Sequence, residues 1–365
     1  MLTNRVGSSF ARAKTVRIGR PGALGVPIRD TQLAGPPGLG FAGTVPGARI
    51  HGRYQLEREL AQGGCSRTWF AQDMGQPSHG VVVLKMVDLT SDIGNVLHAH
   101  LRNESFLMGE IAVQSDRDSV DLFATPIAYG IDHKAGIAWL SMRVAQGRTL
   151  GEDMKSRMKD GCGPYPLAES LRAALEIAKG LRQLHRLHPD KPVPHLDVKP
   201  GNVMIDWEVV HDRRVPHVTL LDPALGASVN EGAVQEGVAI GSAPYMSPEQ
   251  ARGEISRLGP SSDIYSLGCV LFEMITGKMP FNGENWAELL GAHISQQFPS
   301  QVISHDGLRR VVDKMTRKNP GDRFQNMDEV IANLERILVE LEGPQESVSR
   351  VGAFMRWLVS RRTAA

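Results

Sequence analysis

His195-Leu196-Asp197-Val198-Lys199-Pro200-Gly201-Asn202, running on into the apolar Val203-Met204-Ile205, decides the reading of this 365-residue chain. It sets a carboxylate (Asp197), a cation two residues on (Lys199) and a carboxamide three beyond that (Asn202) on one tight loop. A phosphoryl group in transfer carries its charge on oxygens. The reaction therefore asks for a carboxylate near the incoming hydroxyl, a cation on the phosphate and an oxygen ligand for a divalent ion. These residues supply one of each. A charged surface turn between two helices could have the same composition, and only further groups at set distances separate the two readings.

The loop resembles the protein kinase catalytic loop, H-R-D-x-K-P-x-N, with Leu196 in place of the arginine. The resemblance implies that Asp197 accepts or orients the hydroxyl proton and that Asn202 is a magnesium ligand. Lys199 resembles the lysine that marks serine/threonine kinases. Downstream, Val218 to Leu221 is expected to form a short buried strand ending at Asp222, where the family's D-F-G sits, which makes Asp222 the second expected metal ligand. Pro223 and Ala224 replace Phe and Gly, so the usual switch of that segment is in doubt.

GSAPYMSPEQARG, from Gly241 to Gly253, resembles the end of a kinase activation segment. Glu249 there would be a buried acid needing a partner, and Arg323 is the expected one. The run SSDIYSLGCVLFEMITG is apolar on nearly all sides and predicts a buried helix stopped by Gly277. By resemblance, Asp263 at its start hydrogen-bonds the catalytic loop's backbone. Pro166–His188 and Met327–Leu341 carry helical apolar stripes.

Upstream, the family's glycine-rich loop aligns with Ala61, Gly63 and Ser66, with Gly64 beside the one retained glycine. Glycines there let backbone N–H groups approach phosphate, and a plain hairpin turn is the alternative. The apolar run VVVLKMV predicts a buried strand whose lone Lys85 requires an anion, and the α- and β-phosphates of ATP would provide it. Glu104 and Glu110 are candidate partners for Lys85; Glu104 fits the family spacing better. Trp139 to Met142 predicts a strand. By resemblance Met142 is the gatekeeper and Arg143 to Ala145 the hinge that binds the adenine edge.

No run approaches about 18 apolar residues, so no membrane span is predicted. Cys65, Cys162 and Cys269 are too few and scattered for a disulfide framework or a zinc site, and a reducing compartment is expected. The net charge of +1 hides two basic arms, +7 over residues 1–53 and +3 over 344–365, around a body of −9. The first arm is rich in Pro and Gly and predicts a disordered tail. Its FARAKTVRIGR, with Thr15 between Lys14 and Arg17, is a candidate for autophosphorylation or for the acidic substrate cleft. The second, SVSRVGAFMRWLVSRR, has helical apolar spacing and would dock on the body or touch an anionic membrane surface.

The expectation is an α+β, bilobal kinase fold of the bacterial (Hanks) serine/threonine type. Its parts would be a disordered arm (1–52), a β-rich N-lobe with one main helix and hinge (53–145), a mostly helical C-lobe (146–341) and a basic amphipathic tail (342–365). The resemblance implies ATP with Mg²⁺, or Mn²⁺ in its place, and protein substrates, with no nucleic-acid partner and a cytoplasmic location. The rival is a pseudokinase that binds nucleotide or a partner without turnover. Ala61, Leu196, Pro223 and Ala224 speak for it, whereas Lys85, Glu104, Asp197, Lys199, Asn202 and Asp222 speak for catalysis. Leu196 also removes the arginine that reads a phosphate on the activation loop, so phosphorylation there should matter less.

Overall fold

Strand alternation builds the N-terminal lobe. The computed structural model describes residue 41 and residues 43–62, 66–91, 94–114, 122–223, 225–226 and 236–343. The expectations placed on 1–40, Gly63, Gly64, Cys65, Ala224 and the tail 344–365 lie outside them.

Six strands, β1 (Arg49–Ile50), β2 (Tyr54–Gln62), β3 (Ser66–Asp73), β4 (Val81–Asp88), β5 (Pro126–Asp132) and β6 (Ile137–Arg143), form one sheet in the order β1-β2-β3-β4-β6-β5. Successive side chains point to opposite faces. On β4, Val82, Leu84 and Met86 pack with Tyr54, Leu56, Trp69, Ile137 and Trp139 on one side. Val83 and Val87 pack on the other with Leu101 and Met108 of helix α1 (Gly94–Gln114). Lys85 shares that second face and so looks toward α1.

The lobe begins earlier than residue 53. Ile50 is buried and pairs with Tyr54, and Phe41 and Ala48 pack on the same cluster. Arg67 donates to Thr44 Oγ1 at 3.0 Å and stacks over the Phe41 ring. The end of the segment assigned to a disordered arm is thus part of the sheet. A two-residue strand among prolines and glycines leaves no periodicity to read.

The C-terminal lobe contains α2 (Leu150–Lys159), α3 (Leu167–His185), α4 (Pro248–Arg252), α5 (Pro260–Thr276), α6 (Trp286–Ser295), α7 (Asp306–Met315) and α8 (Met327–Glu342). A second sheet, β7 (Arg148–Thr149), β8 (Val203–Val210) and β9 (Arg213–Leu220), lies in the order β7-β8-β9. Helix α5 is buried from Ser262 to Phe272, and Gly277 ends it in the left-handed conformation (φ 68°). Leu171, Leu175, Ala178 and Leu181 of α3 share one core with Val330, Leu334 and Ile337 of α8. Leu341, the last position of the expected stripe on α8, is 40% exposed.

Strands β8 and β9 form a long hairpin. His211 and Asp212 at its turn both have positive φ (48° and 61°), the pairing that a tight two-residue hairpin needs. Arg214 lies over the Trp207 ring and pairs with Glu169 at 2.8 Å, while Arg172 and Arg213 both pair with Glu342. The hairpin is thereby tied to the C-terminal end of α8.

Candidate active site

The catalytic loop is held from beneath by one carboxylate. Asp263, fully buried in the first turn of α5, accepts from the backbone N–H of His195 at 2.7 Å and of Leu196 at 2.8 Å. His185 Nε2 lies 2.7 Å from the same carboxylate. From the loop, His195 Nε2 donates to Leu221 O at 2.9 Å, which fixes the strand end before Asp222. Leu196 takes a left-handed backbone (φ 61°), and Gln250 Nε2 donates to its carbonyl at 2.7 Å. The Asp263 contact expected from the resemblance is thus present.

On this frame, Asp197, Lys199 and Asn202 converge. Lys199 Nζ donates to Asp197 Oδ2 at 2.6 Å, and Asn202 Nδ2 donates to the same oxygen at 2.9 Å and to Asp197 O at 3.0 Å. Asp197 Oδ1 is buried and has no hydrogen-bond partner among the described residues. Ser242 accepts from Lys199 Nζ at 2.7 Å and so reaches Asp197 through the lysine.

Across the cleft, Lys85 Nζ lies 2.7 Å from Glu104 Oε2 and 2.7 Å from Asp222 Oδ1. Glu110, the other candidate, is half exposed and pairs with His188. Burial alone would lower the Lys85 ammonium, but Asp222 and Glu104 beside it hold its pKa above the usual lysine value. Burial pushes the Glu104 carboxyl upward, partly countered by Lys85. Desolvation opposes ionisation of Asp222 too, yet Lys85 keeps its pKa below the usual carboxylate value. His100, one turn before Glu104, is pushed down to about 4 by desolvation and by Lys85, so it is neutral beside this charge cluster. No sequence signal pointed to His100.

A cavity of about 960 Å³ is lined by Lys85, Glu104, Lys199, Asn202 and Asp222; Asp197 does not line it but is bonded to two residues that do, Lys199 and Asn202. Its roof follows the strand register. Arg58, Phe70, Val83 and Met142 form one cross-strand row, and Ala61, Thr68, Lys85 and Leu140 the next row toward the phosphate loop. Ala61, Met142, Arg143 and Ala145 line the cavity; Ser66 is not among its lining residues. Thr68, Phe70, Val83, Ala124, Met204 and Leu221 also line it and were not singled out. On strands that are apolar on both faces, wall and core look alike. Gly147, past the hinge, has φ 84°, and a Cβ there would lie 2.0 Å from Ile205 O, so the close approach of β7 to β8 requires glycine.

The donor set fits a nucleotide triphosphate with a divalent ion. Asn202 uses its nitrogen on Asp197, which leaves its side-chain oxygen for a metal, and Asp222 exposes 38% of its side chain to the cleft. Carboxylate and carboxamide oxygens are the ligands that Mg²⁺ takes. Beyond the cleft, Arg323 grips Glu249 through both nitrogens at 2.8 and 2.7 Å with neither side chain exposed, as the sequence predicted. Leu196 packs with buried Leu225 and Ile240, flanked by Val238, Ile255 and Leu258. An apolar plug occupies the place of a phosphate-reading arginine.

Residues 54–333 match the model of the protein kinase domain family. The chain belongs to that family, and its relatives place it with the bacterial serine/threonine kinases. It is 26% identical over 294 residues to the serine/threonine-protein kinase PrkC of Bacillus subtilis, covering 79% of this chain and 41% of that one. It is 29% identical over 294 residues to serine/threonine-protein kinase PknB of Mycobacterium leprae, covering 78% and 43%. The chain therefore spans about two fifths of the length of these relatives. Among the described residues, no helix is long and apolar enough to cross a membrane.

Proposed function

We propose that this chain transfers the γ-phosphoryl group of ATP to serine and threonine hydroxyls of proteins, with Mg²⁺ as the divalent ion. The observation that carries this reading is the Asp197 carboxylate. One oxygen is held by Lys199 and Asn202, which line the same cleft as Lys85 and Asp222, and the other is buried with no partner among the described residues. The substrate hydroxyl oxygen forms a bond to the γ-phosphorus as the bond from that phosphorus to the β–γ bridging oxygen breaks, which releases ADP. The hydroxyl proton passes to Asp197 Oδ1. Lys85 holds the α- and β-phosphates, Glu104 orients Lys85, and Lys199 places positive charge beside the transferred group. Asn202 and Asp222 would hold Mg²⁺, which neutralises charge on the phosphate oxygens when bound.

Autophosphorylation is the same reaction on the chain's own hydroxyls, and mass spectrometry after incubation with ATP reads it directly. Incorporation of labelled phosphate into a generic protein substrate, compared between wild type and Asp197→Asn, tests the central reading. Equal incorporation in the two would refute it.

A further inference from the structure

We propose that the protein substrates of this cleft are segments rich in acidic residues around the phosphorylated hydroxyl, an inference that rests on the kinase reading above. The cavity does not end at the phosphate groups. It continues past Lys199 and Pro200 to α2, Tyr165, Tyr245, Glu273 and Gly277. A triphosphate held between Lys85 and Lys199 leaves that extension to the polypeptide.

The charges along the extension differ in what holds them. Arg148 exposes 54% of its side chain while its Nε is 2.8 Å from buried Asp153. Lys155 is exposed, and the partly buried Arg157 guanidinium lies 4.5 Å from the centre of the Tyr165 ring and donates to Pro164 O, with no ion pair among the described residues. Of the acids, Asp153 is buried and Glu273 partly buried, whereas Glu152 is exposed but engaged. Glu152 accepts from the backbone N–H of Thr149 at 3.0 Å as the cap of α2, and Asp153 also accepts from Tyr165 and Trp207. Glu273 accepts from the Tyr245 hydroxyl at 2.6 Å, and burial raises its pKa toward the neutral form. An arriving chain meets ammonium and guanidinium groups on long stems, whereas each carboxylate is already engaged. Aspartate and glutamate side chains can form charge-assisted hydrogen bonds there, and lysine and arginine meet like charge.

On this proposal the substrate cleft is not an acidic one. Thr15, between Lys14 and Arg17, carries flanks of the wrong sign for it.

The test uses the full chain, ATP and Mg²⁺ with three serine peptides of one core and acidic, neutral or basic flanks. The expected result is kcat/KM at least about tenfold higher for the acidic than for the basic peptide, with the ratio falling as salt is added. Lys155→Glu, at an exposed position, should lower that ratio several-fold. Equal or inverted preference in wild type, or a ratio that Lys155→Glu leaves unmoved, overturns the proposal and leaves the kinase reading standing. Labelling of no peptide above the Asp197→Asn level overturns both.

Discussion

The Asn202 carboxamide nitrogen sits 2.9 Å from Asp197 Oδ2 and 3.0 Å from Asp197 O, so one side chain orients the base and keeps its own oxygen for a metal. With Lys199 on the same oxygen, Oδ1 is the carboxylate atom of Asp197 that has no partner among the described residues.

Asp197→Asn should therefore remove the proton acceptor and place an amide against Lys199 and Asn202. The expected loss in kcat is about 10²- to 10⁴-fold. Nucleotide affinity, measured by fluorescence titration, should change little because the phosphate contacts at Lys85 remain. A variant that keeps wild-type kcat would deny Asp197 its role.

Arg323→Leu should be among the most destabilising single changes. It removes both guanidinium hydrogen bonds from Glu249 and leaves the one from Ser262, in a site with no solvent access, and leaving a buried charge without its countercharge costs about 3–5 kcal/mol. Urea denaturation measures the loss. The double variant Arg323→Leu with Glu249→Leu should recover part of it, because no charge then remains stranded.

Leu196→Ala opens a hole under Leu225 and Ile240, for which about 2–5 kcal/mol is expected. The segment 236–240 should become more susceptible to protease at the same time. Because the plug is apolar, phosphatase treatment of the wild-type protein should leave its rate unchanged; a large drop would show that a phosphate on the segment is required.

Stability should fall in acid in part through His293. Burial and nearby Lys318 push its pKa down to about 3, and Tyr265 and Phe281 pack against its ring. An unfolded histidine titrates near 6.5, so between these values the unfolded chain binds the extra proton. The stability is therefore complete above about pH 6.5 and is lost toward pH 3, at about 1.4 kcal/mol per pH unit in the middle of the window. His100 adds a contribution of the same sign. Urea midpoints from pH 7.5 to 5 should fall more steeply for wild type than for His293→Gln, and parallel curves would contradict the assignment.

The residues that chemistry selects by type were legible. Lys85 was the one charge on an apolar strand, and Asp197, Lys199 and Asn202 were packed into six positions. Asp222 closed a short buried strand, and family spacing chose Glu104 over Glu110. Glu249 and Arg323 could be paired because a buried carboxylate demands a cation. What depends on the direction of a side chain was not legible. Composition counted the acids of α2 and α5 without showing that Asp153 is held by Tyr165 and Trp207 and Glu273 by Tyr245. Only the geometry shows that Lys199 stands between Ser242 and Asp197. Arg49–Ile50 went unseen because so short a strand is made by pairing with β2, not by its own pattern.

One buried carboxylate on α5 carries the backbone of the catalytic loop, and α5 is walled in by the helices of the C-lobe core. The catalytic loop therefore rests on that core, whereas Lys85 and Glu104 stand on the separate core of the upper lobe. Heat should then extinguish activity no later than the step that melts the interior of the lower lobe.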